Sequence, residues 1–275
     1  KRQRVAGVHF PAVSDPFLLG QRSLAVAASD LAAMGATPLA FTLALTLPDV
    51  SADWLLAYAQ GLNRMASQCG LTLIGGDTTR GPLSLTMTVF GRVPAGQALT
   101  RSGARAGDLL CVGGELGNAA GALPLVLGER QADAALTEPL LAHYWSPSPQ
   151  LALGQALRGK ATAALDISDG LLGDCGHIAA ASGVALRLEL ERLPLSPALR
   201  GFMGLEKARL AALTGGDDYI IAFTLPPAEL AGLLAAGWPV HVVGRVEAGQ
   251  GVSLHDAHGR DITPAVRGYQ HFGGA

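Results

Sequence analysis

ALDISDGLLGDCGHIAAASG, residues 164–183, starts apolar, turns through Asp166-Ile167-Ser168-Asp169-Gly170, and continues with the Ala-rich composition of a helix. It reads as a buried strand, an acidic turn and a helix. Working outward, ALTGGDDYIIAFTLP at 212–226 repeats the theme as an acidic turn leading into a strand. LLCVGG at 109–114 is a strand that feeds the Gly-rich ELGNAAGAL and a helix, and Pro147 and Pro149 punctuate before another helix. ALRLELERLPL at 185–195 and VHVVGRV at 240–246 read as strands, with a short helix from Ala228 to Ala236 between them. Toward the N-terminus, SLAVAASDLAAM at 23–34 has helical composition and stops at Gly35. FTLALTLP at 41–48 alternates as a strand does, and Ser51 to Gly70 is an amphipathic helix with Ser51 as cap and Trp54, Leu55, Tyr58 and Leu62 on one face. LTLIGGDTTRG at 71–81 reads as a short strand and a Gly-rich polar turn, followed by the alternating strand LSLTMTVFGRV. This alternation of strands and helices predicts an α/β or α+β fold. The polar cluster TRSGARAGD at 100–108 sets a boundary between domains at 1–106 and 107–275.

Composition narrows the function classes. The chain has 275 residues, 49% hydrophobic and 15% charged, which is enough for two well-buried domains and unlike a disordered chain. A net charge of -2 argues against non-specific nucleic-acid binding. Its 3 cysteines, Cys69, Cys111 and Cys175, form no close pair and no zinc pattern, so a reducing, cytoplasmic setting is predicted. No signal peptide is apparent, and no apolar run reaches the roughly 20 residues of a membrane span.

The chemistry is signalled by aspartates placed at glycine-bearing turns beside apolar strands or helices. These are Ser29-Asp30, Gly75-Gly76-Asp77-Thr78-Thr79-Arg80, Asp166-Ile167-Ser168-Asp169-Gly170, and Gly215-Gly216-Asp217-Asp218. A carboxylate next to buried chain is costly unless it is paired or binds a cation. Oxygen-rich sites of this kind suit magnesium, which uses one or two carboxylates with water and phosphate oxygens, and nearby glycines let backbone N–H groups approach phosphates. Arg80 and Arg101 could supply phosphate with a guanidinium fork. Taken singly, each feature has a structural reading: Asp30 as a polar residue on a helix face, Gly-Gly-Asp-Thr as a hairpin turn, Asp169 or Asp174 as a helix start, Arg101 as a solvated surface residue, and His9 as a hydrogen-bonded residue of an apolar strand. No Walker loop, complete GxGxxG or GxSxG elbow is present.

In order, GVHF (7–10), LAVAASDLAAMGATP (24–38), IGGDTTRGPL (74–83), RSGARAGD (101–108), LDISDGLLGDCGHI (165–178) and TGGDDY (214–219) resemble the thiamine-monophosphate kinase family, within the aminoimidazole ribonucleotide synthetase-like ATP-using enzymes. The resemblance implies ATP-dependent phosphorylation of thiamine monophosphate to thiamine diphosphate, the last step in making that cofactor, by direct in-line transfer with several magnesium ions. It implies an N-terminal sheet-plus-helix domain that pairs its sheet in a homodimer, and a C-terminal α/β sandwich domain. By motif position, Asp30, Asp77, Asp166 and Asp169 correspond to magnesium ligands, and Gly76, Asp77, Arg101 and Ser168 to ATP contacts. His9 corresponds to a substrate contact, as do Ile220, where the family has glutamate, and Tyr269, where it has tryptophan. The family also carries an Asp-Thr-Leu-Val run directly before GVHF, with a Gly-rich segment and paired aspartates further upstream. Here KRQR precedes the valine, so those ligands are expected to be missing from the start of the N-terminal domain. The alternatives are another ATP-using enzyme of the same superfamily and an inactive nucleotide-binding module.

Overall fold

The structure, a computed structural model, describes residues 2–265 and 268. The N-terminal half runs β1 (Arg2–Val5), α1 (Pro16–Ala33), β2 (Thr37–Leu47), α2 (Ala52–Cys69), β3 (Thr72–Arg80) and β4 (Ser84–Arg92). Its strands form one sheet in the order β1-β4-β2-β3, with β2 and β3 parallel across the α2 crossover and the other pairs antiparallel. Phe41, Leu45, Leu85 and Met87 are buried on one face of this sheet, in a common core with α1 and α2.

Helix α1 begins at Asp15-Pro16, two turns before the composition suggested. The Asp15 carboxylate accepts the Phe17 N–H at 2.8 Å, and Pro16 occupies a first-turn position where its missing N–H costs nothing. The helix is buried almost all round, because it packs on α2 and β4 on one side and on elements of the C-terminal half on the other. Its contact with α2 is backbone to backbone: a Cβ on Gly20 would lie 2.3 Å from the Tyr58 carbonyl oxygen, and one on Gly61 would lie 1.9 Å from that of Phe17. α2 is capped by Ser51, whose hydroxyl accepts the Trp54 N–H, and ends at Gly70 in the left-handed conformation.

Two local expectations fail here. Gly75-Gly76-Asp77-Thr78-Thr79 is not a turn but the middle of β3, pairing Leu43 with Gly76 and Ala44 with Asp77. Glycine is required for a different reason: Gly76 has φ 150°, and a Cβ there would stand 1.9 Å from the Leu43 carbonyl oxygen. His9 lies not in a strand but in the turn after β1, which an Ala6–Phe10 bridge closes.

The C-terminal half contains β5 (Leu109–Val112), α3 (Asn118–Val126), α4 (Ala134–Trp145), α5 (Leu151–Ala156), β6 (Ala163–Asp166), α6 (Leu171–Ser182) and β7 (Ala185–Glu189). It continues with α7 (Pro197–Met203), α8 (Leu205–Thr214), β8 (Ile221–Leu225), α9 (Pro227–Ala235), β9 (His241–Glu247) and β10 (Gly251–His255). The sheet order is β10-β7-β9-β5-β8-β6, antiparallel except for β10 on β7. The strand expected over 185–195 stops at Glu189, where the chain turns through Leu190–Arg192 before Pro194, which has no N–H to give a ladder. Helix α1 reaches this half through α4, α5 and β6, so it joins the two sheets.

Candidate active site

The last residue of β6 is Asp166, 7% exposed. Ser29, on the α1 face turned to the C-terminal half, donates its hydroxyl to Asp166 at 3.0 Å. Arg2, on β1, completes the group. Its Nη2 donates to Asp30 at 2.6 Å and to Asp166 at 3.0 Å, while its Nε lies 3.1 Å from both Asp30 oxygens. Two carboxylates from different halves of the chain are thus drawn onto one guanidinium. Burial pushes the Asp166 carboxyl above its usual range, against the opposing pull of Arg2.

The loop that follows is held from behind. Asp174, in the first turn of α6, accepts the N–H groups of Ser168, Asp169 and Gly170 at 2.9, 2.9 and 3.2 Å. Burial raises Asp174 to about 6, although those donors pull the other way. Beside this loop runs Asp217-Asp218-Tyr219-Ile220, tied to it by Asp217 N–H to the Ser168 carbonyl at 2.9 Å and by Tyr219 N–H to the Ile167 carbonyl at 2.8 Å. Asp217 (φ 68°) and Tyr219 (φ 53°) hold left-handed backbone, which only a well-determined surrounding sustains in non-glycine residues. Arg22 of α1 supplies part of it: Nη2 donates to Asp217 at 2.8 Å, and the guanidinium stacks 3.9 Å over the Tyr144 ring. Arg4 of β1 reaches Asp217 at 3.5 Å and contacts the Tyr219 hydroxyl. Asp218 is fully enclosed and accepts the Gly117 N–H at 2.8 and 3.0 Å, at the start of α3. Burial lifts it to about 8 despite that support.

Of the residues singled out from sequence, Asp30, Asp166, Ser168 and Asp169 come together. Arg101 is exposed beside β6, where Thr100 accepts the Ala164 N–H at 2.8 Å. His9 accepts the Val5 N–H at 3.0 Å through Nδ1. Ile220 is buried in the C-terminal core, within reach of Gly114. Tyr269 lies outside the described residues. Gly76 and Asp77 stand apart: β3 is the far edge of its sheet from β1, three strand spacings or roughly 14 Å away. Register also puts Asp77 in a row with Ala44, Thr86 and Gln3, on the sheet face opposite the one Arg2 shares with Met87. Arg80 closes the same exposed strand.

Sequence reasoning missed Arg2, Arg4 and Arg22. A signal existed for Arg22, the one basic residue in a helix of mostly apolar and small residues, seven residues from Ser29 and therefore on the same face.

Two family models match the chain: AIR synthase related protein, N-terminal domain, over residues 4–93, and its C-terminal domain, over residues 105–257. Thiamine-monophosphate kinase of Escherichia coli K12 is 44% identical over 273 residues, covering 98% of this chain and 84% of that protein. The crystal structure of thiamine-monophosphate kinase from Stenotrophomonas maltophilia K279a superposes with a TM-score of 0.88 at 45% identity, covering 92% of this chain and 83% of that one. AaThiL complexed with AMPPCP and TMP gives the same TM-score of 0.88 at 29% identity, covering 98% of this chain and 85% of that one.

Proposed function

The chain belongs to the thiamine-monophosphate kinases, among the AIR synthase related proteins, and from that premise we propose how its residues divide the work. It uses ATP to phosphorylate thiamine monophosphate, giving thiamine diphosphate. The observation that carries the site assignment is the seating of Ser29 and Asp30 of α1 against Asp166 of β6, which joins the two halves at one group of acids.

Transfer is direct. A phosphate oxygen of thiamine monophosphate attacks the γ-phosphorus of ATP in line, and the bond to the β-phosphate bridging oxygen breaks, that oxygen leaving with its electron pair on ADP. The attacking group is already anionic, so no side chain need remove a proton and no phosphoenzyme forms. What the protein must supply is alignment and positive charge. Asp30, Asp166 and Asp169 would hold magnesium, with substrate oxygens completing the shell. Bound there, magnesium would screen the repulsion between the two phosphate-bearing substrates. The donor set fits: hard carboxylate oxygens that already attract a cation, the guanidinium of Arg2. Among the described residues no three His, Cys, Asp or Glu side chains are gathered into a group able to hold an ion, so an ion there would need substrate oxygens as further ligands.

Gly76, Asp77, Arg101 and Ser168 are assigned to ATP, and His9, Ile220 and Tyr269 to the thiamine side. The distance of Asp77 from Asp166 gives a reason for a homodimer. β3 is exposed along its whole length as a sheet edge, with Leu73 50% and Ile74 63% exposed. Pairing that edge with a second copy would cover it and offer Asp77 to the second copy's cleft. The domain boundary is assigned to 106/107. A cytoplasmic place of work agrees with three free, buried cysteines, and among the described residues no helix is long and apolar enough to cross a membrane.

The test is formation of ADP and thiamine diphosphate from ATP and thiamine monophosphate, with and without magnesium. Metal-dependent product, reduced in Asp30→Asn, is expected. A folded protein that makes neither product would overturn the reading. For the assembly, Ile74→Glu should shift a dimer to monomer in light scattering; an unchanged mass refutes edge pairing.

A further inference from the structure

We propose that Arg2 is a working residue of this active site, a resident cation that takes one metal position among the acids and offers its free edge to phosphate. This rests on the assignment of Asp30, Asp166 and Asp169 to metal. Arg2 sits among those three: it is hydrogen-bonded to Asp30 and Asp166, and the charge of Asp169 acts on it as well. Arg2 offsets one of the two negative charges of Asp30 and Asp166, so the pair still attracts a further cation.

The geometry also assigns the direction of the guanidinium. Nε and Nη2 are engaged by carboxylates, whereas Nη1 makes no hydrogen bond among the described residues. A guanidinium pinned along one edge keeps N–H donors on the other, in the planar arrangement that fits phosphate oxygens. The side chain is 27% exposed, and it is fixed by acids from both halves of the chain. Arg2 therefore offsets part of the negative charge of the ligand-free site and gives the transferring phosphoryl group a donor that needs no metal. By occupying the space between Asp30 and Asp166 it competes with a divalent ion for the same oxygens.

The experiment is a Mn2+ binding isotherm, followed by electron paramagnetic resonance without nucleotide, on wild type, Arg2→Gln and Arg2→Lys. Arg2→Gln should bind one more Mn2+ ion, or bind Mn2+ roughly tenfold more tightly, as expected when a competing charge is removed from a coupled site. Arg2→Lys keeps the charge and should keep the wild-type isotherm, while its kcat falls and the KM for thiamine monophosphate changes little, because the fork is lost. Should Arg2→Gln fail to fold, Arg2→Lys still carries the test through its kinetics. Identical isotherms and identical kcat in wild type and variants overturn the proposal for Arg2. Failure of the metal assignment is distinguished by Asp30→Asn: if that variant leaves the wild-type Mn2+ isotherm unchanged, the acids are not metal ligands and both readings fall.

Discussion

The loop after β6 and the loop before β8 lie side by side, joined by backbone hydrogen bonds, and both present acids with glycine. Their acids nevertheless live under different physics. Asp166 is reached by a guanidinium and a hydroxyl that arrive from β1 and α1. Asp218, 1% exposed, has backbone N–H groups at the start of α3 and the His143 ring at 3.8 Å, a ring that burial pushes toward its neutral form. One loop concentrates charge where a second cation can be used. The other fastens α3 to the sheet with an acid that burial drives toward its protonated form. The motif is shared; the partners delivered by the rest of the chain separate the two roles.

The largest test of that separation is catalytic. Asp166→Asn should lower turnover by at least about 100-fold, the scale seen when metal-site support is lost, and Asp218→Asn should lower it far less. Equal losses would erase the distinction between the loops. Next comes the strap between them and α1. Arg22→Met removes a buried guanidinium, leaves Asp217 with Arg4 and the Tyr219 hydroxyl, and should cost about 3 kcal/mol in urea unfolding, moderated by the partial exposure of Asp217. A change under about 0.5 kcal/mol would show that Arg22 serves only as packing.

The smallest effect is read per pH unit. Asp174 and Asp218 are raised on folding to about 6 and about 8. Between the ordinary carboxylate range and those values the folded chain keeps protons that the unfolded chain has released, so stability falls as pH rises. From pH 6 to 8 only Asp218 of this pair contributes, with a slope of up to about 1.4 kcal/mol per unit. Asp218→Asn should flatten the unfolding free energy in that window. A slope unchanged by the substitution would mean that Asp218 is ionised in the folded protein.

Much of the fold was legible because local signals agreed with tertiary need. Ser51 and Gly70 bound α2, the strand at 41–48 alternates, and LLCV at 109–112 is a buried strand with no polar residue. Helices α4, α7 and α8 were not legible. α4 carries Pro139 inside it, and α7 and α8 are short and joined at a single glycine, so their periodicity is weak. The Gly-Gly-Asp segment misled for a specific reason: glycine marks turns when φ must be positive, but here it marks a strand whose neighbour leaves no room for a Cβ.

By itself the sequence determined which chemistry is available: hard oxygen donors beside buried chain, no nucleophile elbow and no Walker loop, in an order that resembles a phosphate-transferring family. It also determined the helices and strands whose apolar spacing is local. Only the tertiary structure decided which acids meet, because Asp30 and Asp166 are brought together by packing α1 between two sheets, and Asp77 is carried away by its place on an edge strand. It alone placed Arg2 among the acids and closed Asp218 off from water. Spacing along a chain fixes periodicity, but the charge state and partners of a carboxylate depend on the dielectric and the cations around it, and these come from residues far away in sequence.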